Sequence, residues 1–164
     1  MSKTLKQYLI TALVFPLIDY VCVAFLDISV VLDLRLQRAI NVCVRFICGL
    51  RRDEHISPYY KQLKWLSVAT RREYFIGCLM YRVLAGSIPI AFVPEFKFKI
   101  NVSQTGPSTR SAGTILVGPR VRTATYDNSF AVRGVRMWNG LPVSIRDATT
   151  LSSFKVALFN YLMS

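Results

Sequence analysis

Apolar residues recur at helical spacing between Ser29 and Gly49. Ser29 suits an N-cap, Gly49 suits a C-terminal stop, and the stretch between them is long enough for about five turns. Drawn at about 100° per residue, one side of this helix collects the apolar positions Leu32, Leu36, Ile40, Cys43 and Ile47. The opposite side carries Arg38, Asn41 and Arg45, with Arg35 at its margin. The pattern predicts a core-facing helix with an outward Arg/Asn stripe.

The segment from Leu9 to Leu26 is apolar over 18 residues and follows Lys3 and Lys6. Such a run raises the alternative of a membrane span or a signal peptide. Pro16 and Asp19 interrupt its middle, and a central Asp costs roughly 2.5–3.5 kcal/mol on insertion scales. We therefore expect a buried helix that is bent or broken near Pro16.

Two further helices are predicted before residue 90. Ser57 as N-cap and Pro58 as first helical residue open a short one that runs to about Lys64. Ser67 caps the next, from about Val68 to Ala85, which is stopped by Gly86 and Pro89. Its aromatic residues and Trp65 are expected in the core rather than stacked on bases: Trp65, Tyr74, Phe75 and Tyr81.

The chain changes character after Pro94. Residues 101–118 are rich in Ser, Thr and Gly and predict an exposed linker, with short strands possible at 115–117 and 120–123. A helix from about Asn128 to Asn139, a turn at 140–142 and a terminal helix from about Leu151 to Met163 follow. Trp138 and Phe130 are the expected packing partners of the terminal helix.

The predicted fold is therefore mainly α-helical. We expect a small helical bundle over residues 1–94, a loop-rich linker with short strands over 95–127, and a C-terminal helical unit over 128–164. Hydrophobic residues make up 52% of the 164, and only 18% are charged, below the roughly 25% of ordinary domains. This excess predicts apolar faces that pack on a neighbour.

The formal net charge is nevertheless +12, and it is unevenly placed. Residues 1–34 sum to −1, residues 35–82 to +7 and residues 83–164 to +6. Fourteen of the 21 basic residues are Arg, whose planar fork suits phosphate oxygens. The charge indicates a polyanionic partner, with nucleic acid favoured over a membrane surface or a small-molecule substrate.

Two surfaces are candidates for phosphate contact. The first comprises Arg35, Arg38, Asn41 and Arg45 on the second helix, with Arg51 and Arg52 in the loop after it. The second comprises Arg120, Arg122, Arg133, Arg136 and Arg146 in the C-terminal unit. A solvated polar face with no ligand is the alternative for each of them.

Catalytic and metal sites are poorly supported by the sequence. His55 is the only histidine, so a Ser-His-Asp site has one possible base and no supporting motif. The four cysteines lack Cys-x-x-Cys spacing, which argues against a zinc knuckle, and no Gly-rich phosphate loop occurs. Free thiols are typical of a reducing intracellular compartment, nuclear or cytoplasmic.

Residues 138–162 carry the most specific motif of the chain. Its positions are Trp138, Asn139, Leu141, Pro142, Ile145, Arg146, Leu151, Phe154, Lys155, Leu158 and Leu162. They resemble the end of the reverse transcriptase of jockey-like non-LTR retrotransposons, which has Trp-Asn-x-Leu-Pro, then Ile-Arg, then a Ser-Leu-x-x-Phe-Lys-x-x-Leu helix.

Upstream segments follow the same family order. Residues 15–20, Phe-Pro-Leu-Ile-Asp-Tyr, resemble its Pro-x-Leu-Asp-Tyr segment just after the palm, and residues 36–41 resemble its Leu-Gln-Arg-x-x-Asn helix. Further matches lie in the linker and the C-terminal unit: Thr109, Arg110, Pro119, Arg122, Thr123, Ser129, Phe130 and Gly134.

The resemblance implies a parent protein that copies RNA into DNA with Mg²⁺ held by palm carboxylates. This chain has no Asp-Asp pair; its only adjacent acids are Asp53 and Glu54, beside Arg51 and Arg52. We therefore expect a truncated, post-palm, thumb-like part that needs no cofactor of its own and binds template-primer RNA or RNA/DNA duplex without catalysis. The missing palm domain is a second expected partner. The alternative is a protein-interaction module or an inert relic of a mobile element.

Overall fold

The protein is mainly α-helical in a computed structural model that describes residues 1–20, 22–24, 26–87, 96–98 and 115–164. The chain divides into two compact units, residues 1–72 and 73–162. The predicted boundaries at 94/95 and 127/128 stay a prediction, because most of residues 88–114 lies outside the described part. The helices are α1 (Lys3–Leu13), α2 (Phe15–Asp19), α3 (Val30–Cys48), α4 (Ser57–Leu63), α5 (Val68–Leu84), α6 (Ala124–Asp127), α7 (Phe130–Gly140), α8 (Val143–Arg146) and α9 (Leu151–Met163).

The apolar N-terminal segment is broken near Pro16, as predicted. α1 ends at Leu13 and α2 begins at Phe15, with Pro16 in its first turn, where a missing N–H is tolerated. The expectation that this segment is buried is wrong: α1 contains no buried residue, and α2 buries only Phe15. Among the described residues, no helix is both long and apolar enough to cross a membrane.

α3 begins and ends where its capping residues predict. The Ser29 side chain accepts a hydrogen bond from the Leu32 amide at 3.4 Å, and Gly49 adopts the left-handed conformation, φ 68°, that a side chain would disfavour. The core face is close to the predicted one, except that Val44 is buried and Leu32 is 48% exposed. The core of the first unit comprises Phe15, Ile40, Val44, Ile47, Leu63, Trp65 and Val68.

α4 runs over Ser57–Leu63, but Ser57 does not cap it. Ile56 occupies the N-cap position, and no side chain caps that end. The predicted Ser67 cap of α5 is confirmed, since its Oγ accepts from the Thr70 amide at 3.2 Å. The expected stop is present as well, because Gly86 has φ 66°, whereas Pro89 lies outside the described residues.

The second unit is held by a layer of buried side chains. Trp138 lies 5.9 Å from Phe154, ring centroid to centroid, and Tyr81 stacks on the same Phe154 at 4.6 Å. These contacts confirm Trp138 as a partner of α9 and Tyr81 as a core residue; the ring of Phe130 instead meets Phe96 at 6.2 Å. The fully or nearly fully buried side chains here include Ile76, Met80, Leu116, Val132, Val135, Phe154 and Leu158.

α7 approaches α5 closely because Gly134 has no side chain. A Cβ placed on Gly134 would lie 2.6 Å from Sδ of Met80, which is completely buried and has little room to move. Any larger residue at 134 would therefore require the buried Met80 side chain to shift.

The two predicted strands do not form in the described part of the chain. Leu116 makes one isolated bridge to Phe98, and residues 120–123 are not extended into a strand. Thr123 instead caps α6, with its Oγ1 accepting from the Tyr126 amide at 3.3 Å. The single-turn helices α6 and α8 were not predicted, because four residues are too few for an apolar repeat to appear.

Candidate nucleic-acid interface

Arg35 and Arg38 are exposed on the outer face of α3, one helical turn apart. Within the part of the chain that the structure describes, neither guanidinium makes a hydrogen bond or an ion pair. Their donors are therefore available to a ligand. Five N–H groups in a planar fork match the oxygens of a phosphate.

The Arg45 side chain makes hydrogen bonds within the first unit, which the sequence pattern did not predict. Its Nε donates to the carbonyl of Arg51 at 3.3 Å, and Nη2 donates to the carbonyls of Arg52 and Glu54, each at 3.2 Å. The Glu54 carboxylate in turn accepts from the Arg51 amide at 2.8 Å. These bonds fold the loop after α3 back onto the helix, while the side chains of Arg51 and Arg52 remain exposed.

These four exposed arginines form what we call the basic strip: Arg35, Arg38, Arg51 and Arg52. Arg38 and Arg45 are seven residues, or two turns, apart and share one face of α3, so the loop held by Arg45 continues the line of Arg35 and Arg38. From Arg35 to Arg45 the helix rises about 15 Å at 1.5 Å per residue. Measured along the axis of a duplex, that length spans roughly four phosphates of one strand at about 3.4 Å each.

Asn41, predicted on the same outward stripe, is half-buried and hydrogen-bonded inside the unit. Its Oδ1 accepts from Gln37 Nε2 at 2.9 Å and from the Tyr60 hydroxyl at 2.8 Å. Gln37 Nε2 also donates to the Tyr60 hydroxyl at 2.7 Å, and its Oε1 accepts from the Val68 amide at 2.9 Å. The Gln-x-x-x-Asn spacing thus ties α3 to α4 and α5, and Asn41 is oriented by this network rather than by solvent.

The network predicts a stability change at high pH. Burial raises the pKa of Tyr60 from 10.0 to about 12, against the opposing effect of the hydrogen bond from Gln37. The neutral phenol is therefore favoured in the folded state. The contribution of Tyr60 to the free energy of unfolding is complete below pH 10 and is lost as pH rises towards 12. We expect chemical denaturation of Tyr60→Phe to show a smaller loss of stability over this range than the parent chain. Tyr126→Phe, at a side chain that is 39% exposed and outside this network, is the control and should follow the parent.

In the second unit, Arg133 and Arg136 line one open groove with a volume of about 570 Å³. Its floor includes Ile76, Met137 and Leu162, and Glu73 is also part of its lining. Arg136 is held by a bidentate pair with Asp127, at 2.6 and 3.1 Å, which raises the pKa of the guanidinium. Two carboxylates therefore offset the two arginines, and the groove offers little net attraction for a polyanion.

The remaining predicted arginines of this unit do not form one surface. Arg120 and Arg122 are exposed in the segment before α6. Arg146 is buried, with 9% of its surface exposed, so placing it on a phosphate-binding face was wrong. It lies at the end of α8, whose two buried residues are Ile145 and Arg146.

The Trp-Asn block is structural. Asn139 pairs with the backbone of Leu116 on both sides: its Oδ1 accepts from the Leu116 amide and its Nδ2 donates to the Leu116 carbonyl, each at 2.9 Å. Trp138, Leu141 and Ile145 are buried. The side-chain amide thus replaces a neighbouring strand, and the motif specifies the packing of the unit rather than a ligand site.

Two ion pairs at the start of α5 were missed by the sequence analysis. Arg71 forms a bidentate pair with Asp19 and lies over the Phe15 ring, 4.1 Å from its centroid. Arg72, only 7% exposed, pairs with Asp33 at 2.7 Å. Asp19 within an apolar run was an available signal, because a carboxylate among apolar residues requires a partner.

These pairings bear on the Mg²⁺ that the resemblance implies for a parent polymerase. Asp19, Asp33 and Asp127 each face an arginine. In the described ranges, no three potential ligands come together as a metal site would need. The residues that the structure describes therefore do not fit a two-metal centre.

Comparison with known proteins gives no relative. No protein-family model matches the chain, and neither a curated protein nor a solved structure matches it. The resemblance to a reverse transcriptase therefore stays an interpretation of sequence motifs.

Proposed function

We propose that this chain is the post-palm, thumb-like part of a jockey-like non-LTR retrotransposon reverse transcriptase. In this proposal it holds template-primer RNA or RNA/DNA duplex through arginine–phosphate contacts on the basic strip. It performs no chemistry: nucleotide transfer and its Mg²⁺ belong to the palm domain of the same polymerase.

The observation that carries the proposal is the basic strip itself. Four exposed arginines follow one face of α3 and the loop that Arg45 folds onto it. Arg45 donates three hydrogen bonds to hold a loop whose own arginines remain exposed. Such an arrangement positions guanidinium groups before a ligand arrives, which lowers the entropy lost on binding. Contacts to phosphate do not depend on base sequence, and a polymerase must bind templates of any sequence.

The proposal predicts that Arg35→Ala combined with Arg38→Ala weakens binding of an RNA/DNA hybrid. A charge-assisted bond to phosphate is worth about 1.5–3 kcal/mol, and solvent screening of two exposed arginines reduces their combined loss to about that range. We therefore expect an affinity about 10–100-fold lower. Fluorescence anisotropy of a labelled hybrid duplex at fixed salt measures the change. Arg45 is a poor target, because its loss would release the loop as well.

The matched control is Arg82→Ala combined with Lys155→Ala, which removes the same charge from two exposed residues outside the strip. This variant should bind nearly as tightly as the parent. An equal loss in both variants would mean that overall charge, and not the strip, attracts the nucleic acid. No loss in either would remove the strip from the proposal.

A protein-interaction module is the second candidate function. It is supported by the exposed apolar side chains of the first unit, since thirteen of the eighteen large ones found exposed among the described residues lie within residues 1–46. Monomeric soluble proteins rarely expose so many large apolar side chains on one segment. Both functions can belong to one chain, because the arginines and the apolar side chains are different residues.

A further inference from the structure

The outer side of α1 and α2 is a continuous apolar stripe. At about 100° per residue, the exposed apolar positions of α1 from Leu5 to Leu13 fall within about 140° of one another. Val14, between the two helices, keeps a helical backbone with φ −94° and ψ −46°, so the same rotation carries the stripe into α2. Its large members are Leu5, Tyr8, Leu9, Leu13, Leu17 and Tyr20, 39–90% exposed, and Ala12 lies among them.

The inner side of the same helices already has its partner. Ile10, Val14 and Ile18 pack against the core of the first unit. Lys6 donates to the Phe46 carbonyl at 3.1 Å and lies over the Phe46 ring, which anchors α1 to α3. The outer stripe is therefore a second apolar face on helices that are already docked, and it leaves this segment apolar on two sides.

The size of the stripe matches that of a specific protein interface. Its six large side chains expose the equivalent of almost four complete residues. At roughly 150–200 Å² each, this is about 600–800 Å², close to the ~800 Å² that one partner contributes to a standard interface.

The charge around the stripe favours pairing with itself. Residues 1–34 have a net charge of −1 in a chain of +12, so two copies can meet here without the repulsion that the rest of the chain would impose. The ionic side chains near the stripe are largely engaged within the unit, since Asp19 pairs with Arg71, Asp33 pairs with Arg72 and Lys6 donates to the Phe46 carbonyl. Little net charge therefore opposes the approach of two copies along this face.

We propose that the α1–α2 stripe pairs with the same stripe of a second copy of this chain about a two-fold axis. Repetition at intervals of three and four residues lets the large side chains of one helix enter the gaps of the other. The pairing does not depend on nucleic-acid binding.

The test is the mass of the full chain in solution without nucleic acid, by sedimentation equilibrium from about 1 to 100 μM. A dimer of twice 18.6 kDa is expected for the parent chain. Leu13→Glu with Leu17→Glu places like charges across the axis and should give the 18.6 kDa monomer, and Leu13→Ser with Leu17→Ser should weaken the dimer at least tenfold. Val156→Glu, at a 63% exposed residue of α9, should leave the dimer intact.

Several results would overturn the pairing. A parent chain that is monomeric throughout the range would do so, as would dimers that persist in both double variants while far-UV circular dichroism shows unchanged helix content. Equal dissociation by Val156→Glu would place the interface elsewhere. Mass that rises without limit would indicate disordered aggregation instead of a two-fold pair.

Discussion

Replacing Phe154 with alanine is expected to lower the free energy of unfolding of the second unit by about 3–5 kcal/mol. The Phe154 side chain is completely buried and stacks on both Tyr81 and Trp138. Removal of its ring leaves a cavity at the centre of the unit and deprives two aromatic neighbours of their contacts. An effect this large would exceed half the stability of many small domains.

The two tryptophans allow this loss to be assigned to one unit. Trp65 lies in the first unit and Trp138 in the second, so a Trp65→Phe background leaves a fluorophore in the second unit alone. Urea unfolding followed at Trp138 should shift to a much lower midpoint in the Phe154→Ala variant. Val156→Ala, on the exposed side of the same helix, should change the midpoint little. Equal midpoints for the two variants would contradict the packing described.

Replacing Asp33 with alanine is expected to cost the first unit about 3 kcal/mol. Arg72 is 7% exposed, and without Asp33 its charge would remain buried and uncompensated. The value lies at the lower end for broken buried pairs, because the Asp33 side chain is itself about one-third exposed. Arg72→Met should cost less, since water can reach Asp33 and the Met side chain refills the space of the arginine stem.

The decisive observation is the difference in stability loss between Asp33→Ala and Arg72→Met. Urea unfolding followed at Trp65, in a Trp138→Phe background, should order the variants as Asp33→Ala less stable than Arg72→Met. The double variant should be no less stable than Arg72→Met alone, because the buried charge is gone in both. If Asp33→Ala were the milder change, Arg72 would not be held as the structure describes.

Sequence patterns predicted the long helices because long amphipathic repeats leave little choice. α3 and α9 have several turns of apolar repeat and clear end signals, such as Ser29 and Gly49. Their predicted ends therefore lie within one residue of the observed ends. The break near Pro16 followed from the chemistry of proline alone. Sequence patterns could not predict the single-turn helices or the absence of the two strands, because short segments take the conformation that their packing imposes.

The contacts that each side chain makes were the least predictable part of the candidate interface. Asn41 and Arg45 share a helix face with Arg38, yet the first joins a network with Tyr60 and the second holds a loop. A helix projection gives the direction of a side chain but not what the rest of the chain brings near it. Arg35 and Arg38 stayed exposed because no described segment reaches them.

The salt dependence of nucleic-acid binding tests the central claim most directly. With four phosphates engaged by the basic strip, the logarithm of the association constant for an RNA/DNA hybrid should fall against the logarithm of salt concentration with a slope of about −3.6. The parent chain, measured between about 50 and 200 mM salt, should give this slope, and Arg35→Ala with Arg38→Ala should flatten it by about 2. A slope near zero, or the absence of binding at the lowest salt, would contradict the proposed function.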